Sequence, residues 1–114
     1  MIQREYGDYF NDILNSILEM QEFVEDLSFE EFIEDKKTIN AVIRSLEVLG
    51  EAAKKIPPSL KSRHANIPWK KMAGLRDKLI HEYFGVDLEI VWNVIQKDLP
   101  RLKPKMMKLQ KFLK

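Results

Sequence analysis

At 114 residues the chain has the length of one modest domain, and its composition, 45% hydrophobic with only four glycines, describes a helical globular protein rather than a disordered or turn-rich one. It contains no cysteine, which excludes disulfides, thiolate catalysis and cysteine-zinc sites, and no apolar run approaches the roughly 18 residues of a membrane span, so a cytoplasmic protein is expected. The net charge of +1 hides a division: residues 1–53 hold 13 acidic and 4 basic groups, residues 54–114 hold 5 acidic and 15 basic. Such asymmetry suits either a C-terminal half that meets a polyanion or oppositely charged helices lying side by side.

The first segment places Tyr6, Tyr9, Phe10, Ile13, Leu14, Ile17, Leu18 and Val24 at three-and-four spacing, which predicts a helix with one buried face that stops near Leu27. Ser28 and Glu31 have the spacing of a capping box and start a short helix over SFEEFIED. A long helix follows from about Lys37, with Ile39, Val42, Ile43, Leu46, Leu49, Ala53 and Ile56 on one stripe, and Pro57-Pro58 ends it. SLKSRHAN reads as a connector with room for one helical turn. Pro68 suits the first position of the next helix and Gly85 its stop. Asp87 caps a further helix carrying Leu88, Val91, Ile95, Leu99 and Leu102, which Pro100 and Pro104 should kink or break. MMKLQKFL then resumes an apolar stripe between lysines. The pattern predicts one all-α domain over residues 1–114, an antiparallel bundle of four to five helices.

The helix after Pro68 departs from a plain amphipathic pattern. With Trp69 at zero and about 100° per residue, Met72, Leu75, Leu79, Ile80, Tyr83 and Phe84 form a wide apolar arc, and Arg76 falls near its middle at about 340°. A guanidinium there needs several partners. It can pair with a carboxylate of a neighbouring helix, Glu47 and Glu51 being candidates, or it can hold a phosphate in a cleft. Asp77 and His81 lie on the edge of the arc four residues apart, close enough for the carboxylate to accept a ring N–H and fix one tautomer. Arg76 and His81 diverge by about 140°, so a straight helix does not aim both at one point.

Phosphate-binding glycine loops, HExxH and Glu-x-x-His are all missing, which leaves no metal or cofactor to expect. Ser45 or Ser62 remains open as a nucleophile, although neither sits in an obvious strained turn. Lys103, Lys105, Lys108, Lys111 and Lys114 could track phosphates or bind an acidic partner, or simply solvate the outer face of an amphipathic helix.

Arg76-Asp77-x-x-x-His81-x-Tyr83 resembles the R-x4-H-x-Y motif of HEPN-domain proteins of the HepT-like kind. Its flanks, AVIRSLEVLGEAAKKI, IPWKKMAGLRDKLIHEYFGVD and EIVWNVIQKDLPRL, are similar to that family in order and spacing, from about Ala41 to Leu102. The resemblance implies a helical homodimer with two motifs in one cleft, acting as the metal-independent endoribonuclease toxin of a type VII-like toxin-antitoxin pair. Arg76 would hold the scissile phosphate of an RNA substrate, His81 would move protons and Asp77 would orient it. The antitoxin would be a minimal nucleotidyltransferase, and Tyr83 the residue it adenylylates. The alternative of another class is a non-catalytic helical module that binds a nucleotide or partners a nucleotidyltransferase.

Overall fold

A computed structural model describes residues 6–81 and 87–112, with the side chains of 7–75 and 87–111. Gly85, the expected helix stop, lies outside the described residues. Every regular element among those described is helical, in the order α1 (Tyr6–Phe23), α2 (Phe29–Glu34), α3 (Lys36–Lys55), α4 (Pro58–Arg63), α5 (Trp69–His81), α6 (Leu88–Asn93), a π-helical segment (Val94–Asp98) and α7 (Leu99–Phe112). The four long helical stretches read from the sequence are present, as is the short helix after Ser28, here α2, and α4 lies in the expected connector. The fold is an all-α bundle in which α3 packs closely on both α1 and α5, and α1 also meets α7.

The ends of these helices follow local side-chain chemistry. Ser28 Oγ accepts from the Glu31 amide at 3.1 Å while Glu31 Oε1 accepts from the Ser28 amide at 3.0 Å, completing the capping box of α2. Asp35 is the single residue between α2 and α3, and it accepts from both the amide (3.0 Å) and the hydroxyl (2.6 Å) of Thr38. Those bonds, the hydroxyl first, hold its carboxyl below the usual carboxylate range. Asp26 takes a left-handed conformation (φ 65°) in the turn after α1, a backbone region that aspartate tolerates better than most residues. Pro57 caps and Pro58 opens α4, so the connector holds a six-residue helix where one turn was expected. Asp87 Oδ1 accepts from the amides of Glu89 and Ile90, the predicted N-cap of α6.

The core runs along the facing sides of α1, α3, α5 and α7. Phe10, Ile13, Ile17 and Met20 from α1 meet Val42, Leu46 and Leu49 from α3, with Leu99, Met106 and Leu109 contributed by α7. Leu18, expected on the buried stripe, is 41% exposed, and Ser16 is buried instead. Leu18 lies at the margin of the apolar arc, and Met20 supplies the flexible apolar volume nearer its centre. Phe29 and Phe32 of α2 pack on Trp92 of α6, with ring centroids 5.9 and 5.2 Å away. Gln110 Nε2 donates to Asn11 Oδ1, joining the last helix to the first.

The expected break at Pro100 and Pro104 does not occur. Winding continues from Leu88 to Phe112, and Pro104 lies inside α7. The adjustment is made just before Pro100, in the π segment, whose end is closed by the Leu99 amide donating to the Val94 carbonyl. Proline has no N–H and its ring crowds the carbonyl four residues earlier, here Gln96. The five-residue spacing of a π turn is one known way for a helix to absorb a local misfit without ending.

Candidate functional site on the motif helix

α5 begins where a chain of hydrogen bonds fixes the connector. The His64 carbonyl accepts from the Ile67 amide and from Trp69 Nε1, both at 3.1 Å. The Trp69 ring is 6% exposed and lies 6.0 Å from Phe10 of α1, centroid to centroid. One turn on, Met72 is buried against the same core. These anchors hold the first half of α5, and helical winding continues through His81.

Arg76, Asp77 and His81 therefore share one continuous helix. Arg76 stands seven residues beyond Trp69 and four beyond Met72 in its backbone register. The side chains of all three, and the whole of Tyr83, lie outside the described residues. Of the two carboxylates considered as ion-pair partners for Arg76, Glu47 lies 3.4 Å from Arg44 of its own helix. Glu51 is exposed on α3. Ser45, left open as a nucleophile, is 4% exposed and donates to Glu19 Oε2 at 3.3 Å, a bond between α3 and α1 that gives it a structural place. Ser62 is exposed on α4.

A groove not visible in the sequence lies between α5 and the π segment with α7. Its central part is a cavity of about 200 Å³ with an apolar floor that includes Leu49, Met72, Leu75 and Leu102, edged by Lys71, Arg101 and Lys105. At one end it shares Lys71, Leu75, Val94 and Asp98 with a depression that adds Gly74 and Lys97. At the other it shares Lys105 with a depression that adds His64, Asn66 and Lys108. Two polar contacts cross it: Lys71 Nζ lies 3.6 Å from Asp98 Oδ2, and Lys105 Nζ donates to the Asn66 carbonyl at 3.1 Å. Of the C-terminal lysines, Lys105 and Lys108 line this surface and Lys103 is half-buried. Lys111 is exposed, and Lys114 lies outside the described residues. Sequence reasoning did not pick out Lys71, Lys97 or Arg101, because only the antiparallel approach of α5 and α7 brings them to one channel.

An all-α bundle whose third long helix carries arginine, aspartate and histidine at motif spacing defines the class: helical-bundle proteins with a polar motif built on a core helix. No helix among the described residues is long and apolar enough to cross a membrane. The chain belongs to the ribonuclease HepT-like family, whose family model matches residues 13–109. It is 49% identical over 110 residues to a Thermococcus cleftensis protein named "Probable ribonuclease HepT", covering 96% of this chain and all of that one. It is 45% identical to candidate RNases of Methanocaldococcus jannaschii, over 88% of this chain and 83% of the relative, and of Caldanaerobacter subterraneus subsp. tengcongensis, over 83% and 85%. No solved structure matches the chain.

Proposed function

We propose that this protein is a metal-independent endoribonuclease whose active site is assembled from Arg76, Asp77 and His81 of two copies of α5 in a homodimer. The observation that carries this reading is that Arg76, Asp77 and His81, which with Tyr83 complete the Arg-x4-His-x-Tyr spacing of the sequence, stand on a helix that stays wound through His81, in a chain of the ribonuclease HepT-like family.

RNA brings its own nucleophile. The 2′-hydroxyl loses its proton to one imidazole and attacks the adjacent phosphorus, the P–O5′ bond breaks, and a second imidazole protonates the departing 5′-oxygen. The products are a 2′,3′-cyclic phosphate and a 5′-hydroxyl, and no other reactant is consumed. An imidazole, with an ordinary pKa of about 6.5, can serve either role near neutral pH. Arg76 offers a fixed charge and a planar fork to the phosphorane as negative charge builds on its oxygens. Asp77, one helical turn before His81, accepts a ring N–H and sets the tautomer. The divergence of about 140° between Arg76 and His81 on one helix is the geometric argument for two copies: each contributes what the other's helix cannot aim.

The same resemblance supports a place in a type VII-like toxin-antitoxin pair in the cytoplasm, with a minimal nucleotidyltransferase as antitoxin. Adenylylation of Tyr83 would add bulk and negative charge to the segment carrying the motif. The test is cleavage of end-labelled RNA in the presence of a chelator. Wild type is expected to cut, and His81→Ala to lose at least about 100-fold, the lower range for a general acid or base. Equal rates for the two proteins refute the assignment. Intact RNA with wild type, alongside retained binding to a nucleotidyltransferase, moves the reading to a non-catalytic binding module.

A further inference from the structure

We infer that the groove between α5 and α7 is the track along which a single strand of RNA approaches the motif, its phosphates following Lys97, Arg101, Lys105 and Lys108. This inference rests on the ribonuclease reading above and names how the substrate is held outside the reacting bond.

Three features point the same way. The four cations recur along one helical stretch at intervals of four, four and three residues, so they line one side at steps of about 4.5–6 Å. All four line the depressions that join into the groove; the Asp98 carboxylate there is paired with Lys71, and Lys105 exchanges its exposed bond to the Asn66 carbonyl for a phosphate. That regular step suits a chain that carries one charge per unit, and contacts of this kind give affinity without sequence preference. The floor beneath them is apolar and concave, lined by the core side chains Met72, Val94 and Leu102 and by the half-buried Leu75. A splayed base of a single strand can enter such a floor, whereas a duplex keeps its bases stacked inside. Finally, the order of the lining residues gives the groove a direction. His64 and Asn66 face Lys108, Pro68 faces Arg101 and Lys105, and Gly74 and Leu75 face Lys97. The channel thus runs along α5 toward its C-terminal half and reaches Leu75, the residue before Arg76.

An acidic polypeptide is a poorer fit. Its carboxylates sit on flexible side chains with no fixed charge repeat, whereas a nucleic-acid strand carries one phosphate and one base at every step. The end nearest the motif is open at Gly74, which is exposed on α5 and where an added Cβ meets nothing within 4 Å.

The test uses full-length protein carrying His81→Ala, so that RNA is bound but not consumed, with and without Arg101→Glu and Lys108→Glu together. Binding of a fluorescent 20-mer of uridine is followed by anisotropy between 50 and 200 mM salt. Expected is a loss of affinity of at least tenfold at 50 mM, with the slope of log K against log salt reduced by about 1.4, at about 0.7 per lost phosphate contact. Unchanged circular dichroism and melting temperature establish that the double variant is folded. Should it fail to fold, Gly74→Glu serves instead, since the side chain enters open space and places a negative charge in the channel. Affinity within twofold of the parent and an unchanged slope in a folded variant overturn the inference, as does equal affinity of the parent for polyglutamate of matched charge. Wild type that binds RNA through the groove but does not cut it removes the ribonuclease reading and leaves the track. Wild type that cuts, with the variant binding normally, removes the track alone.

Discussion

Trp69 anchors the start of the motif helix, and Trp69→Phe isolates its polar role from most of its packing. The substitution removes the donor to the His64 carbonyl, a bond of 3.1 Å at a ring only 6% exposed. A hydrogen bond of this kind contributes about 0.5–1.5 kcal/mol. Aromatic side chains bury roughly 150–250 Å², and exchanging indole for phenyl sacrifices roughly 50 Å² of that, about 1 kcal/mol at ~25 cal/mol per Å². Together these give a destabilisation of about 2 kcal/mol, or roughly a 10 °C fall in melting temperature for a domain of this size. Trp69→Ala, which also abandons the contact with Phe10 and opens a cavity, is expected to cost about 3–5 kcal/mol. Urea unfolding monitored by circular dichroism measures both. A Trp69→Phe protein within about 0.5 kcal/mol of wild type would show that the connector is held by other means, and that the indole N–H has no part in fixing where α5 begins.

Two further outcomes concern positions away from the motif. Because the carboxyl of Asp35 is held below its ordinary range chiefly by the Thr38 hydroxyl, its contribution is full above the unfolded carboxylate pKa and disappears as pH falls through the lower, folded value. Asp35→Ala should therefore melt earlier than wild type near neutral pH, with the two curves converging in acid; a constant gap from pH 7 to pH 2 excludes this linkage. Gly74→Ala should raise stability by about 0.5–1 kcal/mol, since the helix is more easily formed by alanine and the added methyl finds open space. A lower midpoint in urea would mean that Gly74 is needed for close approach by some group.

Much of the architecture follows from short-range chemistry and was readable for that reason. Ser28 with Glu31, Asp87 before an apolar stripe, and Pro57-Pro58 after one act within a turn or two of the chain, so their meaning survives without tertiary context. The π segment was not readable, because the pattern of valine, isoleucine and lysine from Val94 to Asp98 is equally compatible with α winding. What decides is how the chain accommodates Pro100 while keeping both Ile95 and Leu99 in the core. Ser45, left open as a nucleophile by its sequence, is a buried tie to Glu19, a partner 26 positions away that the sequence does not reveal. The motif residues were visible in the sequence by spacing and flanks, and the structure adds the continuous helix on which Arg76, Asp77 and His81 stand. The groove that reaches Leu75 depends on residues as far apart as His64 and Lys108, brought together only by the way the bundle folds back on itself.

The bond between Asn11 and Gln110, and the packing of α1 on α7 around it, tie the first described helix to the last. Chains are synthesised from the N-terminus, and contacts between distant positions form late. While α7 is still inside the ribosome, Phe10, Ile13 and Ile17 lack part of their cover and α5 has no opposite wall to its channel. A nascent chain thus carries the motif without the surface proposed to feed it. Closing of that channel therefore waits until α7 has emerged and packed onto α1.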